Sequence, residues 1–144
     1  MADERDPTVV RVLVVRPDDL VAARQANLEG DGRATLRVTP PFSGRMRARL
    51  HRTVDGGATP GPEPVEVAPA DLLAEDAPDY PHPDDTGDEL RADPDAEYTR
   101  ERHRRRHERA VSAWRASLSE HVADRTTLDT AEGPHEVGVT LLGG

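Results

Sequence analysis

Cysteine, isoleucine and lysine are missing from these 144 residues, and aromatic rings are scarce: one phenylalanine, one tryptophan and two tyrosines. The lack of cysteine excludes a disulfide-stapled module and any thiolate zinc site. The lack of lysine excludes a phosphate-binding Gly-Lys loop. Long apolar runs are lacking too. Nothing approaches the ~20 apolar residues that a spanning helix needs, so no membrane association is expected. Val, Leu and Phe together number 27, about 19% of the chain. So few large apolar residues, with so much charge, place the sequence near the usual boundary of disorder. The opening Met1-Ala2-Asp3-Glu4-Arg5-Asp6 is acidic and has no apolar stretch of the kind a secretory signal carries, so a soluble cytoplasmic protein is expected.

Charge is what the chain has in abundance. Twenty-eight acids face 19 basic residues, every one an arginine, for a formal charge of −9. Ala and Val stand where bulkier side chains are common. This balance resembles that of proteins from extremely halophilic archaea with GC-rich genomes. The stretches Val38-Thr39-Pro40-Pro41-Phe42-Ser43-Gly44-Arg45-Met46-Arg47 and Pro78-Asp79-Tyr80-Pro81-His82-Pro83-Asp84-Asp85 resemble those of small haloarchaeal proteins of unknown function. The resemblance implies an acidic surface that keeps molecules hydrated and mutually repelling in molar salt. It carries over no catalytic residue.

Hydrophobic patterning gives the elements. Val9 to Val15 is apolar except for Arg11 and mostly β-branched, which predicts a central strand buried on both faces. Pro17-Asp18-Asp19 starts a helix of about two turns over Leu20 to Asn27. Gly30-Asp31-Gly32 is a turn. It lacks the third glycine of a dinucleotide loop and leads into a strand, so no dinucleotide is implied. Ala34, Leu36 and Val38 alternate with polar residues as a half-buried strand. Met46, Ala48 and Leu50 alternate with Arg45, Arg47, Arg49 and His51, which predicts an antiparallel hairpin, with a helix as the alternative for its second arm.

From Asp55 to Glu97 the chain holds 14 acids, a single arginine (Arg91) and eight of the 13 prolines. Val65 and Val67 suggest an edge strand, and Asp71 to Glu75 a helical turn. Asp76 to Leu90 has too little apolar surface to order itself and is expected as an extended arm or disorder. Asp93-Pro94-Asp95 reads as the start of a helix of about 28 residues ending near Val122. Its apolar stripe is Ala110, Val111, Trp114, Leu118 and Val122, continued by His103, His107 and His121, with Arg102, Arg105, Arg106 and Arg109 on the opposite face. Strands over Thr126 to Thr130 and Glu136 to Leu142, around Glu132-Gly133-Pro134, end the chain.

The order strand, helix, strand, strand, insertion, helix, strand, strand predicts a single α+β domain over residues 1–144. The expected form is a two-layer sandwich with a mostly antiparallel sheet, one short and one long helix, and an acidic, proline-rich insertion over 55–93. The order is close to the ferredoxin-like βαββαβ pattern, from which no function follows.

The functional signal is Gly32 to Val54, a stretch with no acid and six arginines, at 33, 37, 45, 47, 49 and 52. Period-two geometry sets Arg45, Arg47 and Arg49 on one side of a strand with Arg37 beside them on its neighbour. Guanidinium forks bind carboxylate and phosphate bidentately, which makes this strip a binding site for an acidic protein partner or nucleic acid. The alternative is that the chain's own acidic segment folds over the strip and neutralises it. Nucleic acid ranks lower in concentrated salt. For about six phosphate contacts, moving from ~0.1 M to ~2 M salt costs roughly seven powers of ten in affinity, and four aromatic rings supply few stacking platforms.

Arg102, Arg105, Arg106 and Arg109 form a second basic run, read either as a solvated helix face or as part of the same nucleic-acid-binding surface. His103 and His107 share a helix face, but a third ligand and the His-Glu-x-x-His order are absent, so they are read as packing residues rather than a metal site. Asp84, Asp85, Asp88 and Glu89 lack calcium-loop spacing. Ser43 is read as a turn residue, since no nucleophile elbow surrounds it. Leu141-Leu142-Gly143-Gly144 resembles the diglycine tail of ubiquitin-like modifiers, with a frayed end as the alternative. No cofactor is expected. The chain reads as a non-catalytic binding module using the Arg-rich hairpin. The alternatives are a nucleic-acid-binding accessory factor and a hydrolase-like enzyme joining His51, His82 or His135 to acidic residues.

Overall fold

The computed structural model describes residues 5–30, 33–52 and 64–142. It is an α+β structure in two compact units: residues 1–75 with 122–144, and Asp76–His121.

The first unit is a six-stranded mixed sheet. Strands β1 (Val12–Val15), β2 (Ala34–Val38), β3 (Arg45–Arg52), β4 (Val65–Val67), β5 (Arg125–Thr130) and β6 (Gly133–Leu141) lie in the order β4-β2-β3-β1-β6-β5. The predicted central strand is central. Its Leu13 and Val15 are fully buried and Val14 nearly so. Pro7–Val9 forms a 3-10 turn ahead of it, so the strand begins later than the apolar run suggests. The β2–β3 pair is the expected antiparallel hairpin, the two expected terminal strands pair antiparallel as β5–β6, and Val65–Val67 is the expected edge strand. Gly133 sits at the β5–β6 turn with φ +111°, a conformation that only glycine adopts cheaply.

Helix α1 (Pro17–Glu29) is longer than predicted and turns Leu20, Val21 and Ala23 inward, with Pro17 in its first turn. Leu20 and Ala23 join Leu13, Val15, Leu36, Val38, Ala48, Leu128 and Val137 in one core. The Asn27 side chain fastens the end of α1 to β2. Its amide donates to Ala34 O and its oxygen accepts from Ala34 N, both at 2.8 Å, giving that backbone a partner as a strand would.

The sheet is mostly antiparallel, as expected, but two features correct the simple sandwich of ferredoxin-like order. First, β1 runs parallel to both β3 and β6 while the other three pairings are antiparallel. Strands β1 and β2 therefore run in opposite directions on either side of α1, whereas a βαβ unit of the ferredoxin-like kind keeps them parallel. Second, the sheet is near-barrel rather than a flat layer. A 3-10 turn over Pro69–Leu72 spans from the β4 edge toward β5. The Thr126 hydroxyl donates to Asp71 O at 2.9 Å, Ala123 N donates to Leu72 O at 2.9 Å, and Leu73 bridges Val122. Strand twist curls a sheet this way, and backbone pairing across the gap holds the curl.

The second unit is a helical hairpin, α2 (Pro83–Ala92) and α3 (Arg100–Leu118), followed by a 3-10 turn at Ser119–His121. Here the sequence expectation differs most. The segment expected as an arm or disorder contains α2, with Thr86, Gly87 and Leu90 buried. The long helix starts at Thr99, whose hydroxyl accepts from Arg102 N, and not at Asp93. Asp93 instead ends α2: its carboxylate accepts from Asp95 N at 2.9 Å and pairs with Arg106 at 3.1 Å. An Asp-Pro-Asp triplet fits an interhelical turn as well as a helix start, because both use the Asp oxygen to hold a backbone N–H two or three residues on.

Trp114 lies in this unit at 4% exposure, its indole N–H donating to Pro78 O at 3.1 Å and its ring meeting Tyr80 edge-on at 4.9 Å. Leu118 is fully buried. Among the described residues no helix is long and apolar enough to cross a membrane.

Candidate functional site

The arginine strip forms as the alternation dictates. Ala48 is fully buried, so Arg45, Arg47 and Arg49 occupy the opposite face of β3. The register sets Val12 beside Arg45, Val14 beside Arg47 and, on β2, Arg37 directly across from Arg49. Arg45 and Arg49 are exposed. Arg47 is half-buried, and its Nε is buried with no hydrogen-bond partner among the described residues. A buried donor without a partner is costly and uncommon in native structures.

Among the described residues, the acidic segment pairs with this strip at one end, through Arg37. Glu66 of β4 accepts from Arg37 Nη2 at 2.9 Å and from its Nε at 3.1 Å, and His51 Nε2 lies 3.9 Å from the same oxygen. Among the described residues no carboxylate pairs with Arg45, Arg47 or Arg49. Glu66 was legible as an outward residue between Val65 and Val67, but its neighbour across the sheet was not.

In the helical unit, Arg102, Arg105, Arg106 and Arg109 do come together. With Leu90 and Ala96 they line a cleft of about 220 Å³. Arg102 Nη1 donates to Glu97 O at 3.1 Å, Arg105 pairs with Glu101 at 2.6 Å and Arg106 with Asp93 at 3.1 Å. Arg109 has no ion pair or hydrogen bond from its side chain among the described residues. An adjoining cleft of about 440 Å³ is shared by Arg105 and Arg109 with Glu108 and Ser112.

The histidines pack, as the spacing suggests. Thr86 Oγ1 sits between two rings, 3.2 Å from His103 Nε2 and 3.2 Å from His107 Nδ1. His103 Nε2 donates to Pro83 O at 2.8 Å, which fixes its proton on that nitrogen, and Tyr98 OH lies 3.2 Å from Nδ1. Gly87 packs so close that an added Cβ would stand 3.2 Å from the His103 ring. His135 Nε2 donates to Val10 O at 2.6 Å, and His82 precedes α2 with its ring exposed. Asp84, Asp85, Asp88 and Glu89 are exposed, Asp88 pairing with Arg91 at 3.3 Å. Among the described residues no group of three or more His, Asp or Glu is placed to hold a metal ion. The diglycine at 143–144 lies outside the described residues. Asp6 titrates below the ordinary aspartate range. The Thr8 hydroxyl at 2.6 Å and the Thr8 amide at 2.9 Å hold its carboxylate low, with a smaller contribution from His135.

The model of a family described as a domain of unknown function (DUF8009) matches residues 1–143. No curated protein and no solved structure matches the chain.

Proposed function

We propose that this chain, which belongs to the DUF8009 family, is a non-catalytic binding module that takes an extended acidic protein segment along β3. The observation that carries this reading is the strip of Arg45, Arg47 and Arg49, which no described carboxylate neutralises on a chain of net charge −9. Alternate residues of a strand stand about 6.7 Å apart. A peptide in extended conformation with an acid at every second residue presents its carboxylates at that same interval, so three guanidinium forks meet three carboxylates in register. Glu66 sets one boundary of the site by holding Arg37.

Fluorescence anisotropy with a labelled peptide of alternating Glu and Thr tests the reading. Its Gln counterpart and a single-stranded oligonucleotide serve as competing arms, each measured at low and at molar salt. The acidic peptide should bind, and the Arg45/Arg47/Arg49→Ala variant should lose at least tenfold in affinity. Glu66→Gln, which frees Arg37, should bind more tightly than wild type. Tighter binding of the oligonucleotide, lost in the triple variant, would replace the acidic segment by nucleic acid as the ligand. Equal affinity of wild type and triple variant for both probes would end the reading.

A further inference from the structure

The cleft on α3 carries an inference of its own, independent of the β3 strip. We infer that Arg102, Arg105, Arg106 and Arg109 hold the phosphate-monoester end of a small organic ligand, whose apolar part lies against Leu90 and Ala96. Four guanidiniums line the cleft, and two carboxylates, Asp93 and Glu101, pair with them. Glu108, which borders the adjoining cleft, pairs instead with Arg104 at 3.9 Å. Two positive charges at the lining therefore have no compensating carboxylate among the described residues. A phosphate monoester, at −1.5 to about −2 near neutral pH, balances them where a sulfate ester or a phosphodiester supplies only one charge.

The donors are as abundant as the charge. Each guanidinium offers five N–H groups, and the bonds to Glu97 O, Glu101 and Asp93 occupy one nitrogen on each of three arginines. Asp93 and Glu101 hold Arg106 and Arg105 in place rather than saturating them, which leaves a prearranged set of forks for three phosphate oxygens. The cleft volume of about 220 Å³ exceeds what a bare phosphate fills. The remainder is bordered by Leu90, which is 3% exposed, and by the half-buried Ala96. A charged end and an apolar flank together describe an organic phosphate rather than the free anion.

Isothermal titration calorimetry on the full chain distinguishes the possibilities, with phenyl phosphate, phenyl sulfate, inorganic phosphate and phenol as probes. Phenyl phosphate should bind at least tenfold more tightly than phenyl sulfate and inorganic phosphate, and phenol should not bind. Arg109→Ala removes a side chain that holds no described partner, so its circular dichroism melt should match wild type while its affinity for phenyl phosphate falls at least tenfold. The Arg45/Arg47/Arg49→Ala variant should bind phenyl phosphate as wild type does, which separates this site from the β3 reading. No heat from phenyl phosphate at millimolar concentration, equal affinity for the sulfate, or full affinity in Arg109→Ala would each overturn the inference. Inorganic phosphate binding as tightly as phenyl phosphate would overturn it too, since the apolar flank would then contribute nothing.

Discussion

Trp114 is the only indole in the chain, and three features of its surroundings identify what it does: 4% exposure, a donated bond to Pro78 O and the edge of Tyr80. Trp114→Ala should cost on the order of 3–5 kcal/mol, read by denaturant titration of the helical signal. Trp114→Phe keeps an apolar ring and loses the donor, so about 1 kcal/mol is expected. A loss from the Ala variant under about 1 kcal/mol would contradict the burial. Asp6 allows a pH argument at the same scale. Its carboxyl is held low by Thr8, so its contribution to stability is present above the unfolded value and lost as pH falls through the lower folded one. NMR titration of Thr8→Ala should show the Asp6 midpoint moving up toward the ordinary aspartate range. The two residues fall on opposite sides of what was legible. The burial of Trp114 followed from helical phasing over Ala110 to Leu118. The Asp6–Thr8 contact and the Asn27 clamp on Ala34 did not stand out, since single polar side chains carry no period.

Elements with a strong period were legible and elements defined by partners were not. The alternation in β2 and β3 placed Ala34, Leu36, Val38 and Ala48 inward and the arginines outward, as found. Helix α2 was hidden because its sequence, Pro-Asp-Asp-Thr-Gly-Asp-Glu-Leu-Arg-Ala, contains one large apolar residue. It is held instead by a hydroxyl between two imidazoles, by a glycine that admits the His103 ring, and by Arg91 stacked 4.4 Å from the Tyr98 ring. Such an arrangement depends on α3 and has no signature in α2 alone. Thr86→Val keeps the shape and removes the hydroxyl, leaving His107 Nδ1 without this partner. About 1–3 kcal/mol of stability should be lost, checked by thermal melts, with Thr86→Ser recovering part of it. An unchanged melt for Thr86→Val would mean that shape alone holds the two helices.

At the scale of the whole chain, charge and connectivity dominate. Acids outnumber arginines by nine, and the exposed acids repel one another when unscreened. The melting temperature should therefore rise between low and molar salt; a flat dependence would show that the described ion pairs already offset the repulsion. The site was half legible in the same sense. Composition exposed the acid-free stretch and spacing exposed its one-sided arginines, while the selective neutralisation of Arg37 by Glu66 needed the strand order.

That order has a temporal side. Strand β1, residues 12–15, is flanked by β3 and by β6, and Leu142 N still donates to Val15 O at 2.8 Å. A ribosome has delivered nearly all of this sequence before the second margin of β1 finds its mate. Until then a short, wholly apolar ribbon with unmet amides stands ready to pair with any neighbouring chain, the state in which nascent proteins most readily coalesce.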